Sequence, residues 1–300
     1  MSVLNKAVVT ALPIIPKSII GQVAKRYIAG ETLAEGVATV QHLNSKTILA
    51  TMDLLGEDVN DAQETIAVQQ GIFSMLQAIK NNRLAANVSL KPTQLGLVID
   101  KELAYRNIKT ILEQAQKYDT FVRIDMEDAT TTDATLDLYR RLHREGFNNT
   151  GVVIQACLRR SEADVLALIK EGANIRLCKG IYNELPSIAF KDRGEIRDNY
   201  LKLLKLILES GSYIGIATHD NVLIDAAYTL ISELNLKPEQ YEFQMLLGVR
   251  EKRRDKTVSD GHHLRVYVPF GNDWYGYSTR RLKENPHMAW YITKAIFIHS

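Results

Sequence analysis

From about residue 46 onward, short runs of β-branched and aliphatic residues alternate with longer stretches whose apolar side chains recur every three or four positions. Eight of the short runs fit strands, at 46–52, 84–90, 119–125, 150–156, 173–178, 212–217, 240–246 and 263–269. The longer stretches fit helices at 61–81, 101–117, 131–145, 161–171, 190–209, 220–235, 248–257 and 276–296. Ahead of this series, Ile19, Ile20, Val23 and Tyr27 stand at helical spacing, which predicts a leading helix from Pro16 to about Ala29 that stops at Gly30.

Eight strand–helix units in an unbroken series favour parallel strands joined by crossover helices. Eight is also the number that closes a (β/α)8 TIM-type barrel, and 300 residues suit one. An open doubly wound sheet is the competitor. It would place a glycine fingerprint after its first strand to hold a dinucleotide, and here Asp53-Leu-Leu-Gly-Glu57 follows instead. The expected organisation is an N-terminal helical segment over 1–45 packed on a barrel over 46–300, with the last helix closing over the mouth.

Composition narrows the function classes. A formal net charge of +2, with no basic tract interleaved with aromatics, argues against nucleic acid as a partner. Cys157 and Cys178 are the only cysteines and sit in neither a CxxC nor a metal-like cluster, a pattern that suits a reducing cytoplasm. Pro13 and Pro16 interrupt the early apolar run, so it does not read as a signal peptide, and no stretch reaches the length of a membrane span.

Barrel chemistry gathers at the C-terminal ends of the strands. The predicted ends carry Asp53, Lys91, Asp125, Gln155, Lys179, Thr218-His219, Gln244 and Tyr267, so every strand opens on a polar or ionisable group. Each has a plainer reading beside the functional one. Asp53 and Asp125 suit helix caps, Lys91 a solvated loop, Gln155 and Gln244 barrel hydrogen bonds, and His219 a structural role. Arg176 resists that treatment, because a charge inside an apolar strand needs a partner or a ligand. His262-His263 resembles a metal pair, but neighbours on a strand face opposite ways, and no metal site is expected.

One further stretch is unusual for a helix. Tyr277, Arg280, Arg281 and Glu284 fall at i, i+3, i+4 and i+7 and share one face, where an amphipathic helix would place apolar residues. Two adjacent guanidinium groups suit an anion such as a carboxylate or phosphate. A solvated basic face, with Glu284 pairing Arg280, is the alternative.

Taken together, these segments resemble the proline dehydrogenase family, flavoenzymes built on a distorted (β/α)8 barrel. The resemblance lies in Asn87-Val-Ser-Leu-Lys91, Ile124-Asp125-Met-Glu127, Arg176-Leu-Cys178-Lys179-Gly180-Ile-Tyr182, Ala217-Thr218-His219-Asp220, Phe243-Gln244-Met-Leu246, Val266-Tyr267-Val-Pro269 and Tyr277-x-x-Arg280-Arg281-x-x-Glu284. They occur in order from about Thr47 to Glu284. The resemblance implies a substrate pocket at Lys91, Asp125, Leu246, Tyr267, Tyr277, Arg280 and Arg281. It implies FAD contacts at Gln155, Arg176, Cys178, Lys179, Gly180, Thr218, His219, Arg281 and Glu284. The chain departs from the common pattern at Ile181 and Asn183, where many members have Ala and Trp, and at Asp220, where Asn often follows the histidine.

Read through that resemblance, Arg280, Arg281 and Lys91 clamp the carboxylate of L-proline, Asp125 pairs with Lys91, and the ring packs on Tyr267, Tyr277 and Leu246. Tyr267 is expected to crowd a ring hydroxyl and so favour proline over hydroxyproline. The implied partners are a membrane quinone as electron acceptor and a separate Δ1-pyrroline-5-carboxylate dehydrogenase, since 300 residues leave little room for a second enzyme. The leading helix and the apolar run from Trp290 to Ile298 are candidates for peripheral membrane contact of a cytoplasmic protein, with barrel packing as their alternative. Two other classes remain open at this point: a flavin-free barrel that binds small carboxylates, and a barrel enzyme that sets the arginine pair on a phosphate.

Overall fold

The computed structural model describes residues 20–21, 24–56 and 59–284, the last five of them (280–284) as backbone only. Residues 16–19 of the leading helix, Val23, Glu57, the apolar run 290–298 and the helix beyond 284 lie outside that range, as do the side chains of Arg280, Arg281 and Glu284.

Eight strands form a closed parallel barrel in chain order: β1 (Leu49–Leu54), β2 (Ala86–Leu90), β3 (Val122–Ile124), β4 (Thr150–Gln155), β5 (Ile175–Cys178), β6 (Ile214–Ala217), β7 (Tyr241–Leu246) and β8 (Leu264–Phe270). β8 pairs with β1 over six residues and closes the ring. A helix follows each strand: α2 (Glu64–Asn81), α3 (Lys101–Lys117), α4 (Thr132–Arg144), α5 (Ser161–Lys170), α6 (Arg193–Ser210), α7 (Asn221–Glu233), α8 (Glu251–Ser259) and α9 (Trp274–Glu284). The barrel expected from the alternation is therefore observed.

Two faces of the strands divide the chemistry. Outward residues such as Met52, Val88, Ile124, Val152, Leu177, Ile216, Phe243 and Val266 are buried against the helices, and this annular layer is the hydrophobic core. Aligned neighbours in a parallel sheet point to the same side. The inward row therefore runs through Asp53, Ser89, Arg123 and Gly151, and on the far side through Arg176, Gly215 and Glu242. Barrels usually fill that space with layers of branched apolar side chains. Here it holds three arginines and their partners. Arg265 bonds Glu242 at 2.7 Å, and Arg123 donates to the Val152 and Asn174 carbonyls at 3.0 and 2.6 Å. Gly151 and Gly215 make room: a Cβ at either would collide with the end of Arg123 or of Gln244.

The helices are fixed by caps and by apolar spacing. Asp100, Asp192 and Asp220 accept backbone N–H bonds at the starts of α3, α6 and α7, and each such cap contributes about 1 kcal/mol. In α3 the buried side chains Ala104, Ile108, Ile111, Leu112 and Ala115 form the stripe that packs on the barrel.

Three local expectations are corrected. A helix, α1 (Leu33–Asn44), precedes the barrel, where the sequence reading gave only an undivided helical segment; Thr32 and Glu35 form its capping box. The leading helix gives out at Ala24 and passes into a turn, short of the expected Ala29. β3 is shorter than 119–125, because Asp119 takes a left-handed conformation (φ 52°) and the Thr120 N–H still bonds the Ala115 carbonyl at the end of α3.

Candidate active site

Four inward groups at the C-terminal mouth make one connected cluster. Asp125, just past β3, is its hub: it accepts from Ser89 Oγ at 2.6 Å, from Arg176 Nη1 at 2.7 Å and from Tyr267 OH at 3.0 Å. The Arg176 guanidinium also stands 5.5 Å from the centre of the Tyr267 ring. Burial, with the charges of Asp125 and Asp53 beside it, pushes the Tyr267 hydroxyl far above its ordinary value, so it remains a neutral donor.

Lys91 does not pair with Asp125, contrary to the expectation above. Its ammonium donates to both oxygens of Asp53, at 2.8 and 2.9 Å. The register explains the choice. Ser89 aligns with Asp53 on β1, so Lys91, two residues on, reaches back to that neighbour, while Asp125 already holds three donors. Burial alone would lower the Lys91 ammonium; Asp53 and Asp125 outweigh it and hold Lys91 charged. Burial pushes the Asp53 carboxyl up, against the pull of Lys91.

Across the mouth, β4 to β7 supply a second group of polar residues. Gln155 donates to the Glu127 carbonyl at 2.7 Å, which leaves its oxygen unused by that bond. Gly180 has φ 95°, and its backbone lies so close to Cys157 that a Cβ there would strike the sulfur. The Cys178 thiol is pushed up to about 12 by burial and is inert as a nucleophile. Lys179 reaches Asp220 at 3.4 Å, while Arg197 grips the same carboxylate at 2.9 Å from both of its nitrogens. Burial opposes ionisation of Asp220, but Arg197 and Lys179 prevail and bring it down to about 2. Thr218 is buried and accepts the Asp220 N–H. His219 Nε2 accepts the Leu246 N–H at 2.8 Å, which ties the end of β6 to the end of β7 and fixes where Leu246 stands.

Two donors at this mouth find no acceptor among the described residues. Arg176 is 6 % exposed, and its Nε and Nη2 find no hydrogen-bond partner among the described residues. Buried polar groups are normally satisfied. These are donors suited to the acceptor atoms of a bound group.

The last helix begins directly beyond β8. Tyr277 and Trp274 pack against Ala24, Ile28 and Leu55, so the start of α9 lies over the end of β1. The helical backbone through Glu284 keeps Tyr277, Arg280, Arg281 and Glu284 on one face.

A family model described as proline dehydrogenase matches residues 36–290. The chain belongs to the proline dehydrogenase family. It is 39% identical to proline dehydrogenase 1 of Bacillus subtilis (strain 168) over 273 residues, 91% of this chain and 90% of that one. It is 32% identical to the proline dehydrogenase of Deinococcus radiodurans over 277 residues, 91% and 89% of the two chains. A crystal structure of proline utilization A (PutA) from Bdellovibrio bacteriovorus, inactivated by N-propargylglycine, shares the fold with a TM-score of 0.85. That likeness, at 23% identity, covers 93% of this chain and 36% of the other.

Within this family member, sequence reasoning missed three supporting residues. Asp53 appeared at a strand end but read equally well as a cap. Ser89 lies inside the Asn87–Lys91 motif with the same inward parity as Lys91, a signal available in the alternation. Glu127 is buried and takes the Thr93 N–H at 3.0 Å and the Thr93 hydroxyl at 2.6 Å, bracing the β2 exit against the β3 exit. Only the folded loop brings those two together.

Proposed function

We propose that this protein oxidises L-proline to Δ1-pyrroline-5-carboxylate, with FAD, when bound, supplying at N5 the acceptor for the hydride from C5. The observation that carries the reading is the mouth cluster, in which Asp125 fixes one edge of Arg176 and its other edge is buried with no partner among the described residues. Those two donors fit the oxygen and nitrogen acceptors on a flavin edge. Gly180 supports the fit by allowing close backbone approach, and Gln155, Lys179 and Thr218 offer further polar contacts beside it. Arg281 and Glu284, on the same face of α9, would complete the proposed flavin shell.

Around the substrate, Arg280 and Arg281 would take the proline carboxylate in charge-assisted bonds, each contributing about 1.5–3 kcal/mol before desolvation. Lys91, its charge largely offset by Asp53, would add its remaining N–H as a further donor. Tyr267, held by Asp125, and Leu246, held through His219, would wall the ring. Tyr277 would cover it from α9. Fixing the ring in this way supplies rate by orientation alone. No side chain is assigned as a dedicated general base, and the amine proton leaves to water.

The electrons then pass to a membrane quinone, and a separate Δ1-pyrroline-5-carboxylate dehydrogenase consumes the product on the way to glutamate. The protein would work in the cytoplasm, peripheral at the inner face of the membrane. Anaerobic titration with L-proline tests the central claim. The flavin's visible band should bleach in the wild type. In Arg280→Ala it should persist at attainable proline with the flavin still bound. A colourless protein that cannot be reconstituted with FAD would instead favour a carboxylate-binding barrel.

A further inference from the structure

Inward barrel positions usually carry branched apolar side chains that fill space. On β2 the inward row holds Ser89, two residues below Lys91, and its side chain is buried. Ser89 aligns with Asp53 on β1 and with Arg123 on β3. Both neighbours are engaged elsewhere: Asp53 takes the Lys91 ammonium, and Arg123 donates to the Val152 and Asn174 carbonyls. The Ser89 hydroxyl turns instead to Asp125, 36 positions along the chain, and lies 2.6 Å from its Oδ1.

That oxygen is shared. Arg176 Nη1 meets Asp125 Oδ1 at 2.7 Å and stands 3.4 Å from Ser89 Oγ, so the three atoms close a triangle. A hydroxyl has one proton to give and lone pairs to accept with, whereas a guanidinium only donates. The Ser89 proton therefore goes to Asp125, and a lone pair of the same oxygen faces Arg176. Tyr267 bonds the other carboxylate oxygen, Oδ2, at 3.0 Å. Ser89 is thus the uncharged donor on the oxygen that Arg176 uses.

The charge of Asp125 offsets that of Arg176, and a donor on Oδ1 spreads the negative charge away from the contact. In a buried cluster such shifts are weakly screened. The Nε and Nη2 of Arg176, without a partner among the described residues, are the donors assigned above to the flavin edge. A positive charge beside that edge favours the reduced, anionic ring. Removing the Ser89 hydroxyl would concentrate charge on Oδ1, offset Arg176 more fully and make reduction harder.

We propose that Ser89 is a positioning residue that raises the reduction potential of the bound flavin, acting through Asp125 on Arg176. The inference rests on the flavin reading proposed above.

The test is the midpoint potential of the full-length, flavin-loaded protein, measured by slow reduction against a reference dye with no proline present. Ser89→Ala should lower it by about 30 mV, a tenfold loss in the equilibrium constant of a two-electron couple. Ser89→Cys keeps a weak donor in a slightly larger side chain, and should lower it by less. A role in packing alone predicts no such order. Equal potentials in the three proteins, or a fall in the Cys variant as large as in the Ala variant, would overturn the role of Ser89 and leave the proline reading intact. If Ser89→Ala fails to retain flavin, the Cys variant decides by itself, and a potential equal to the wild type's counts against the proposal. Loss of flavin from both variants would replace tuning with a purely structural role. A lowered potential in the Ala variant, in a protein whose wild type proline does not bleach, would keep the tuning role and remove the proline reading. A wild type that takes up no flavin would remove both.

Discussion

Lys91 and Asp53 stand in a two-pronged ion pair, 2.8 and 2.9 Å from the ammonium to the two carboxylate oxygens, on adjacent strands of the barrel mouth. Asp53 is almost wholly buried, while the Lys91 side chain keeps about a fifth of its surface open. The pair sets how much positive charge the pocket presents to an anion. It also separates the two aspartates of the mouth by role, one neutralising a lysine and the other organising Ser89, Arg176 and Tyr267.

Asp53→Asn should therefore cost stability as well as substrate affinity. Leaving one partner of a buried pair uncompensated costs about 3 kcal/mol or somewhat more. Urea denaturation should show that loss, and Asp53→Asn/Lys91→Met should recover a large part of it. If the double variant is as unstable as the sum of the singles, the two residues are not coupled.

Arg176→Ala should lose flavin and stability together, because it removes two donors to a bound group and strands Asp125 without its cation. Arg176→Lys should rescue neither, since an ammonium cannot serve Asp125 and a second acceptor edge in the planar geometry of a guanidinium. Flavin content per purified chain is the measurement, with thermal unfolding beside it.

Tyr267 is expected to discriminate against a ring hydroxyl. Wild type should oxidise trans-4-hydroxy-L-proline with a kcat/KM at least about tenfold below that for L-proline, the scale set by one badly placed polar group. Tyr267→Ser should narrow the gap. Tyr267→Phe should preserve it while raising KM several-fold, because only the bond to Asp125 is lost. Equal efficiency of wild type on both substrates would remove Tyr267 from the specificity role.

Asp220 makes a prediction about acid. Its folded-state value lies near 2, below the ordinary aspartate value, so its ion pair with Arg197 contributes fully above about pH 4. That contribution, about 2 kcal/mol for a shift of this size, is lost as pH falls through the folded value near 2. Asp220→Asn should be less stable than wild type at neutral pH by about that amount, with the difference closing toward pH 2. Chemical denaturation across that range measures it.

Much of the architecture was legible in the sequence because it depends on local patterns. Alternating strand runs and helical stripes recur eight times, and the chain order of the barrel follows from short connections between parallel strands. Strand-end residues such as Lys91, Asp125, Thr218 and His219 could be placed at the mouth by counting, since position along a strand determines height in the barrel. The helix α1 was missed although Thr32 and Glu35 signal its start, because its apolar stripe is brief and interrupted. The tip of the β3 region was misjudged because a left-handed residue at Asp119 leaves no trace in hydropathy.

Partner choice belonged to the tertiary structure alone. Lys91 had two aspartates within plausible reach, and only the register of β1 against β2, together with the three donors already crowding Asp125, assigned it to Asp53. The same holds for Arg176, whose need for a partner was evident from its apolar strand, but not the split between Asp125 and two nitrogens without a partner among the described residues. His219 turned out to hold the Leu246 backbone from a neighbouring strand. Sequence determines which groups stand at the mouth because it sets their spacing along each strand. Which of them meet is decided by closure of the ring, which brings residues more than a hundred positions apart within hydrogen-bond distance, as Asp125 and Tyr267 are.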